Sequence, residues 1–248
     1  MKKIFLYILA GGLCFSACKK DDEVETFVEP TDINVRNSYD EQAIQKFMNE
    51  NYLDSQGNIK AFSSTDAADD NEKKLSELSP QTLPSGVIYI VRNGAQPSPG
   101  AAIETNSTAT NATQIKTMIR ANYYFATESD GNVSFASSGA ILNTIDGNGS
   151  PFTDPTFYYV KKSMLDAATT DAAKQRKYYE IEGFQEGLKQ FNGFENTANG
   201  APYNLQGVII VPSKAAFARD SNYYGLQNAC LIFNFQIYDA KVRPADQQ

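Results

Sequence analysis

Histidine and tryptophan are both absent from the 248 residues. Without imidazole there is no Ser-His-Asp or Cys-His catalysis, no His-ligated zinc and no side chain that titrates unaided near neutrality. Cysteine is scarce. Cys14 and Cys18 lie in the N-terminal segment, which leaves Cys230 alone in the folded part. No internal disulfide is expected, and Cys230 reads as a small core residue opening the last strand. Positive charge is also short: 22 Lys and Arg stand against 29 Asp and Glu, a net charge of −7. With no basic stripe or cluster, the pattern argues against nucleic-acid binding. No fixed-period repeat is found, and no apolar run after Leu13 is long enough to cross a bilayer. The 42% hydrophobic content is enough for one globular domain plus attachments.

The N-terminus carries the first positive signal. Lys2 and Lys3 precede the apolar run 4–13, too short for a span and suited to a signal-peptide core. Ser16 and Ala17 lead into Cys18, and the segment resembles a bacterial lipobox, with cleavage before Cys18 and lipid on its thiol and new amine. Several acyl chains anchor durably because each buried methylene adds roughly 0.8 kcal/mol. The following Lys19-Lys20-Asp21-Asp22-Glu23 resembles the surface-export signal of Bacteroidetes lipoproteins; on physics alone it is equally a solvated tether.

Residues 24–37 are weakly patterned and read as tether. Residues 40–52 predict a helix, with acids at its start and Ala43/Phe47 and Ile44/Met48 as i, i+4 pairs. Residues 63–74 read as polar loop. Pro84-Ser85-Gly86 punctuates a strand at 87–91, and Asn93-Gly94 turns after it. Residues 106–113 form a low-complexity loop. A strand follows at 114–127, then an Asp130-Gly131 hairpin turn and a second strand from Val133. Asp146-Gly147-Asn148-Gly149-Ser150 reads as a turn, since it lacks the later glutamate of a calcium loop. A strand is expected at 156–160 and helix over 161–177.

The last third is the most sharply patterned. Ile181, Phe184, Leu188 and Phe191 line one face of a short helix. Gly207-Val-Ile-Ile-Val211 is a buried-strand run stopped by Pro212, and Ser213 opens a turn towards Phe217. From Cys230 to Tyr238, Leu231, Phe233, Phe235 and Ile237 alternate with Ile232, Asn234, Gln236 and Tyr238, a strand with one core face.

This order resembles the C-terminal half of the FKBP family of peptidyl-prolyl isomerases. The family pattern V-I-x-G-W-x-E-G-L is met by Glu180-Ile181-x-Gly183-Phe184-x-Glu186-Gly187-Leu188. I-P-x-x-x-A-Y-G is met by Val211-Pro212-x-x-x-Ala216-Phe217-Ala218, and L-x-F-x-V-x-L by Leu231-x-Phe233-x-Phe235-x-Ile237. The resemblance implies an α+β fold, an FKBP-like antiparallel β-sheet wrapped around a short helix, with an N-terminal helical extension and insertions at 161–177 and 192–205. The implied organisation is a lipoprotein signal peptide at 1–17, a tether at 18–38, a helical extension at 39–83 and the FKBP-like domain at 84–241.

The implied site is an apolar pocket. The backbone amide of Ile181 would hold the substrate carbonyl. Phe184 stands for the family's Trp and Phe217 for its Tyr, without the hydroxyl. Phe233 matches on the last strand. Tyr124 and Phe135 fit the wall on either side of the Asp-Gly turn, and Phe157 or Tyr159 the remaining wall. Ala136 stands where the family has Asp. Rotation about an X-Pro bond must overcome amide resonance, a barrier of roughly 18–20 kcal/mol, and needs no nucleophile, metal or cofactor. A dry pocket that favours the twisted amide by about 5 kcal/mol would accelerate it several-thousand-fold. The implied activity is a lipid-anchored isomerase acting on proline-containing segments of envelope proteins, at the periplasmic face of the outer membrane or the cell surface. The retained apolar lining permits this enzyme, whereas the missing Asp and Tyr favour a binding module of the same fold, catalytically weak, and the export-like cluster allows a structural surface lipoprotein.

Overall fold

The structure is a computed structural model that describes residues 27–146 and 149–247; the signal peptide, Cys18 and the charged cluster after it lie outside the described residues. In chain order the strands are β1 (Asn51–Leu53), β2 (Ile59–Ala61), β3 (Gln81–Thr82), β4 (Ile88–Val91), β5 (Ala101–Ala102), β6 (Thr113–Ser129), β7 (Asn132–Asn143), β8 (Phe152–Thr153), β9 (Asn192–Gly193), β10 (Gly207–Val211) and β11 (Cys230–Val242). The helices are α1 (Ile33–Glu50), α2 (Lys162–Ala167) and α3 (Glu182–Leu188). The class is mixed helix and antiparallel sheet, as expected. The main sheet runs β3-β4-β10-β11-β6-β7, with β8 also paired to β6. Among the described residues no helix is long and apolar enough to cross a membrane.

The period of two in β11 organises the core. Leu231, Phe233, Phe235 and Ile237 point to one side, here the front, where they join Ile209, Val211, Ile119 and Ala121 from neighbouring strands. On this side α3 lies across the sheet. Phe184 and Leu188 of α3, Ile181 at its N-cap and Phe191 just past its end are all buried, on the one face their spacing predicts, although the helix itself stops at Leu188. Two glycines set the close approach. A Cβ on Gly183 would sit 2.5 Å from Val211 Cγ1 and 2.6 Å from the Ala215 carbonyl, and one on Gly187 2.7 Å from Ile209 Cγ2.

The back of the sheet is covered by α1. Ile44 and Met48 bury with Leu53, Leu75, Ile90, Val208, Ile210, Cys230 and Ile232. This helix begins well before residue 40. Asp32 caps it, its Oδ1 accepting from Asn34 N at 2.8 Å. Arg36 is 1% exposed and Asp40 0%, and they pair at 2.5 Å, so polar letters that read as tether and helix start are interior. Arg36 also donates to the Ala126 carbonyl, and Asp40 accepts from both N and Oγ of Ser213. The β1–β2 hairpin is tied to the same face by Asn234, whose amide donates to the Gly57 and Gly207 carbonyls.

Two further expectations, both about residues 156–177, differ from the structure. Residues 161–177 are helical only in α2 and in a short turn at Arg176–Tyr178. The stretch 156–160 is buried loop rather than strand. Its Phe157, Tyr158, Tyr159 and Val160 are fixed by side-chain contacts: Glu180 accepts from Val160 N and from Arg176, and Gln185 donates to the Tyr158 carbonyl.

Candidate functional site

Three rings form the centre of the front face. Phe184 comes from the first turn of α3, Phe233 from the middle of β11 and Phe157 from the buried loop. Phe184 and Phe233 centroids are 4.3 Å apart, and Phe157 lies 5.4 Å from Phe184 and 5.3 Å from Phe233 in edge and tilted geometries. Phe184 and Phe233 are 0% exposed and Phe157 1%, so the rings fill the space between them. Ile181 is equally buried, and its N–H donates to the Phe157 carbonyl at 2.8 Å. The amide expected to receive a substrate carbonyl is therefore already engaged. Phe157, not Tyr159, supplies the third ring. Tyr159 turns away, with the Arg243 guanidinium 3.3 Å above its ring and its hydroxyl donating to the Gln247 carbonyl.

Around this closed nest lies a more open layer. Phe217, on the loop after the Ser213–Ala215 turn, is 5% exposed and packs 5.8 Å from Tyr224. Tyr224 is half-buried, and burial pushes its phenol well up from the ordinary range. Tyr223 is exposed and stacks on Tyr224 and on Tyr179, both at 5.1 Å. From β6, Tyr123 and Phe125 are half-buried against the same cluster, 5.8 Å from each other. Gly139 on β7 lets the Tyr123 phenol lie flat on the strand, since a Cβ there would meet its hydroxyl at 2.4 Å.

Tyr124 and Phe135 do not join the other four expected residues. They lie on the back of the sheet, 4.9 Å apart, with Phe47 of α1 at 5.4 and 6.0 Å. Register explains it. Tyr124 is opposite Cys230 and Tyr123 opposite Leu231, so Tyr123 takes the front. A bulge at Ala136, where Phe125 pairs with Ser137 and Ala126 with Phe135, turns Phe135 to the back as well. Ala136 is exposed on that bulge. In the sequence the rim residues Tyr123, Phe125 and Tyr224 are marked only by the aromatic run 123–125 and the pair at 223–224, neither of which points to a site.

Among solved structures the chain is similar to FkpA from Escherichia coli, at 19% identity over 66% of this chain and 53% of that one, TM-score 0.34. It is also similar to a peptidyl-prolyl cis-trans isomerase from Pseudomonas syringae pv. tomato, at 9% identity over 86% of this chain and 99% of that one, TM-score 0.33. The chain thus spans about half the length of the first. No family model and no curated protein matches it. These superpositions are loose, and the site stands on its own geometry.

That geometry offers apolar contact and little reactive chemistry. Among the described residues no group of three potential ligands could hold a metal ion. Cys230 is fully buried, and burial together with the neighbouring Asp40 raises its thiol far above the usual range, so it is no nucleophile. What remains is a hydrophobic nest with a half-open aromatic rim and phenol hydroxyls at Tyr123 and Tyr224.

Proposed function

We propose that the chain is an FKBP-like relative of the peptidyl-prolyl isomerases that binds proline-containing segments of envelope proteins on its front aromatic rim and turns them over slowly. In this reading lipid on Cys18 holds it at the outer membrane, on the periplasmic face or the cell surface. The observation that carries the binding half is the contrast between a sealed nest and a partly open rim. Phe157, Phe184 and Phe233 leave no space for a twisted imide, and the Ile181 amide is spent on Phe157. Tyr123, Phe125 and Tyr224 still offer stacking surface and hydroxyls to an extended peptide.

A second reading, an efficient isomerase, is favoured by one feature. Phe157, Ile181, Phe184, Phe217 and Phe233 belong to one cluster, in the order the family pattern requires, so a small outward movement of Phe217 and Tyr224 would uncover a floor. One experiment separates the two. The full chain in detergent is titrated with a labelled proline peptide, and the isomerisation rate of the same peptide is followed. The binding reading expects saturable binding with less than about tenfold acceleration, under ~1.4 kcal/mol of barrier. Acceleration of several-thousand-fold establishes the isomerase. Absence of binding removes both. Mass measurement of the mature protein from membranes checks the anchor, which fails if Cys18 is unmodified.

A further inference from the structure

The strand β7 ends the main sheet, and among the described residues nothing pairs with its outer edge. It is 12 residues long, Asn132-Val-Ser-Phe-Ala-Ser-Ser-Gly-Ala-Ile-Leu-Asn143, without a single charged residue or proline. Edge strands are ordinarily blunted by lysines, prolines or short length, because a row of unpaired N–H and C=O groups invites another chain. Here only the two bulges interrupt the edge, near Ala136 and Ile141, and between them 137–140 run regularly against β6. Beside this edge, on the back, lies a groove of about 320 Å³ walled by Ala43, Lys46, Phe47 and Glu50 of α1 and by residues 134–138 of β7, with Tyr124 at its base. Phe47, Tyr124 and Phe135 make it aromatic, while Lys46 and Glu50 pair at 3.9 Å on its rim with opposite signs.

We infer that β7 and this groove together form a docking site for an extended segment of a partner polypeptide, added to the sheet as a further antiparallel or parallel strand. The backbone edge supplies hydrogen bonds that read no sequence. The groove supplies the preference, since alternate side chains of an added strand fall on the back, where an aromatic or branched apolar group meets Phe47, Tyr124 and Phe135. The side chains in between fall on the opposite face, over Ile141.

The other occupants fit less well. Two copies would each carry a net charge of −7, so a second copy meets long-range repulsion. The chain's own residues 19–26, Lys-Lys-Asp-Asp-Glu-Val-Glu-Thr, offer one apolar side chain among six charged ones. The site is separate from the front rim and selects differently. Proline within the added strand would remove a ladder donor, so the preferred ligand is proline-free.

The test uses the full chain in detergent and a labelled ten-residue peptide of alternating threonine with isoleucine or tyrosine and no proline. Binding is expected to be saturable, with amide hydrogen exchange slowed at least about tenfold at outward-facing positions within 134–140 and unchanged on the front loop 217–224. Ser138→Lys, on an exposed side chain, is expected to weaken binding about tenfold or more while thermal unfolding stays the same. A proline peptide held on the front rim is expected not to compete, so loss of rim binding leaves this site standing and the reverse. Absence of binding overturns the inference, as does binding without protection of 134–140. Concentration-dependent protection of these amides without peptide overturns it in favour of a second copy.

Discussion

The two faces of the sheet are stabilised by different physics. The front is a nest of rings under a seven-residue helix, with glycines bringing helix and strand into contact. The back is an aliphatic layer edged by the Phe47, Tyr124 and Phe135 rings, under an 18-residue helix and fastened by an ion pair that water does not reach. A ring nest loses stability in proportion to the volume removed from it. An interior ion pair behaves otherwise: its cost lies in leaving one charge alone, and replacing both partners by apolar groups is often neutral. The front therefore tolerates polar change badly everywhere, whereas the back is vulnerable at one electrostatic point.

Paired substitutions sharpen this difference. On the back, Asp40→Ala leaves Arg36 with the part-exposed Glu29, 3.2 Å away, as its counter-ion and deprives Ser213 of its acceptor, and urea unfolding is expected to register a loss of about 3 kcal/mol. The double change Arg36→Met with Asp40→Leu should recover most of it; a double mutant no better than the single would show that the Ser213 contacts, not the charge, dominate. On the front, Phe184→Ala is expected to cost a similar ~3–5 kcal/mol, with no second-site change of charge able to restore it. Phe184→Trp, which restores the ring the family pattern has, is expected to cost about 1–3 kcal/mol by overfilling the nest and to leave proline-peptide isomerisation low. A large gain in rate would mean that the nest opens more readily than its packing implies. A smaller effect belongs to the start of α1: Asp32→Ala removes the cap and should cost ~1 kcal/mol by thermal unfolding.

Alkaline pH acts on both faces and has no effect at neutrality. Tyr158 and Tyr224 on the front and Cys230 on the back have acid groups raised by burial. The folded chain keeps these protons after the unfolded chain has released them, near pH 8.5 for the thiol and about 10 for the phenols. Stability is therefore full below that range and falls as pH rises through it. A denaturation midpoint that stays flat from neutral pH to 11 would refute the assignment, and because no histidine is present, none of the loss should begin between pH 6 and 8.

Much of the front was legible because its signals are periodic. The i, i+3, i+7 spacing from Ile181 and the alternation from Leu231 each specify a face without any tertiary knowledge, and both faces are buried. The pair Tyr123-Tyr124 shows where such reasoning stops. Two adjacent aromatics in a strand must face opposite ways, and only the register with β11 decides which one faces α3. Phe135 adds a second uncertainty, since the bulge at Ala136 changes its side and nothing in the local letters marks a bulge. Arg36 and Asp40 illustrate the opposite failure. Both letters signal solvent by default, and their burial depends on finding one another and Ser213 across the fold.

The contact of Asp40 with Ser213 has a practical consequence for anyone trimming the gene. A fragment beginning at residue 84 would keep every strand of the large sheet except β3, yet it would lose the lid over Val208, Ile210 and Ile232 and the acceptor that seats the Pro212 turn. Such a fragment is expected in the insoluble fraction, whereas one beginning at Phe27 retains both and should express as a discrete, monodisperse species.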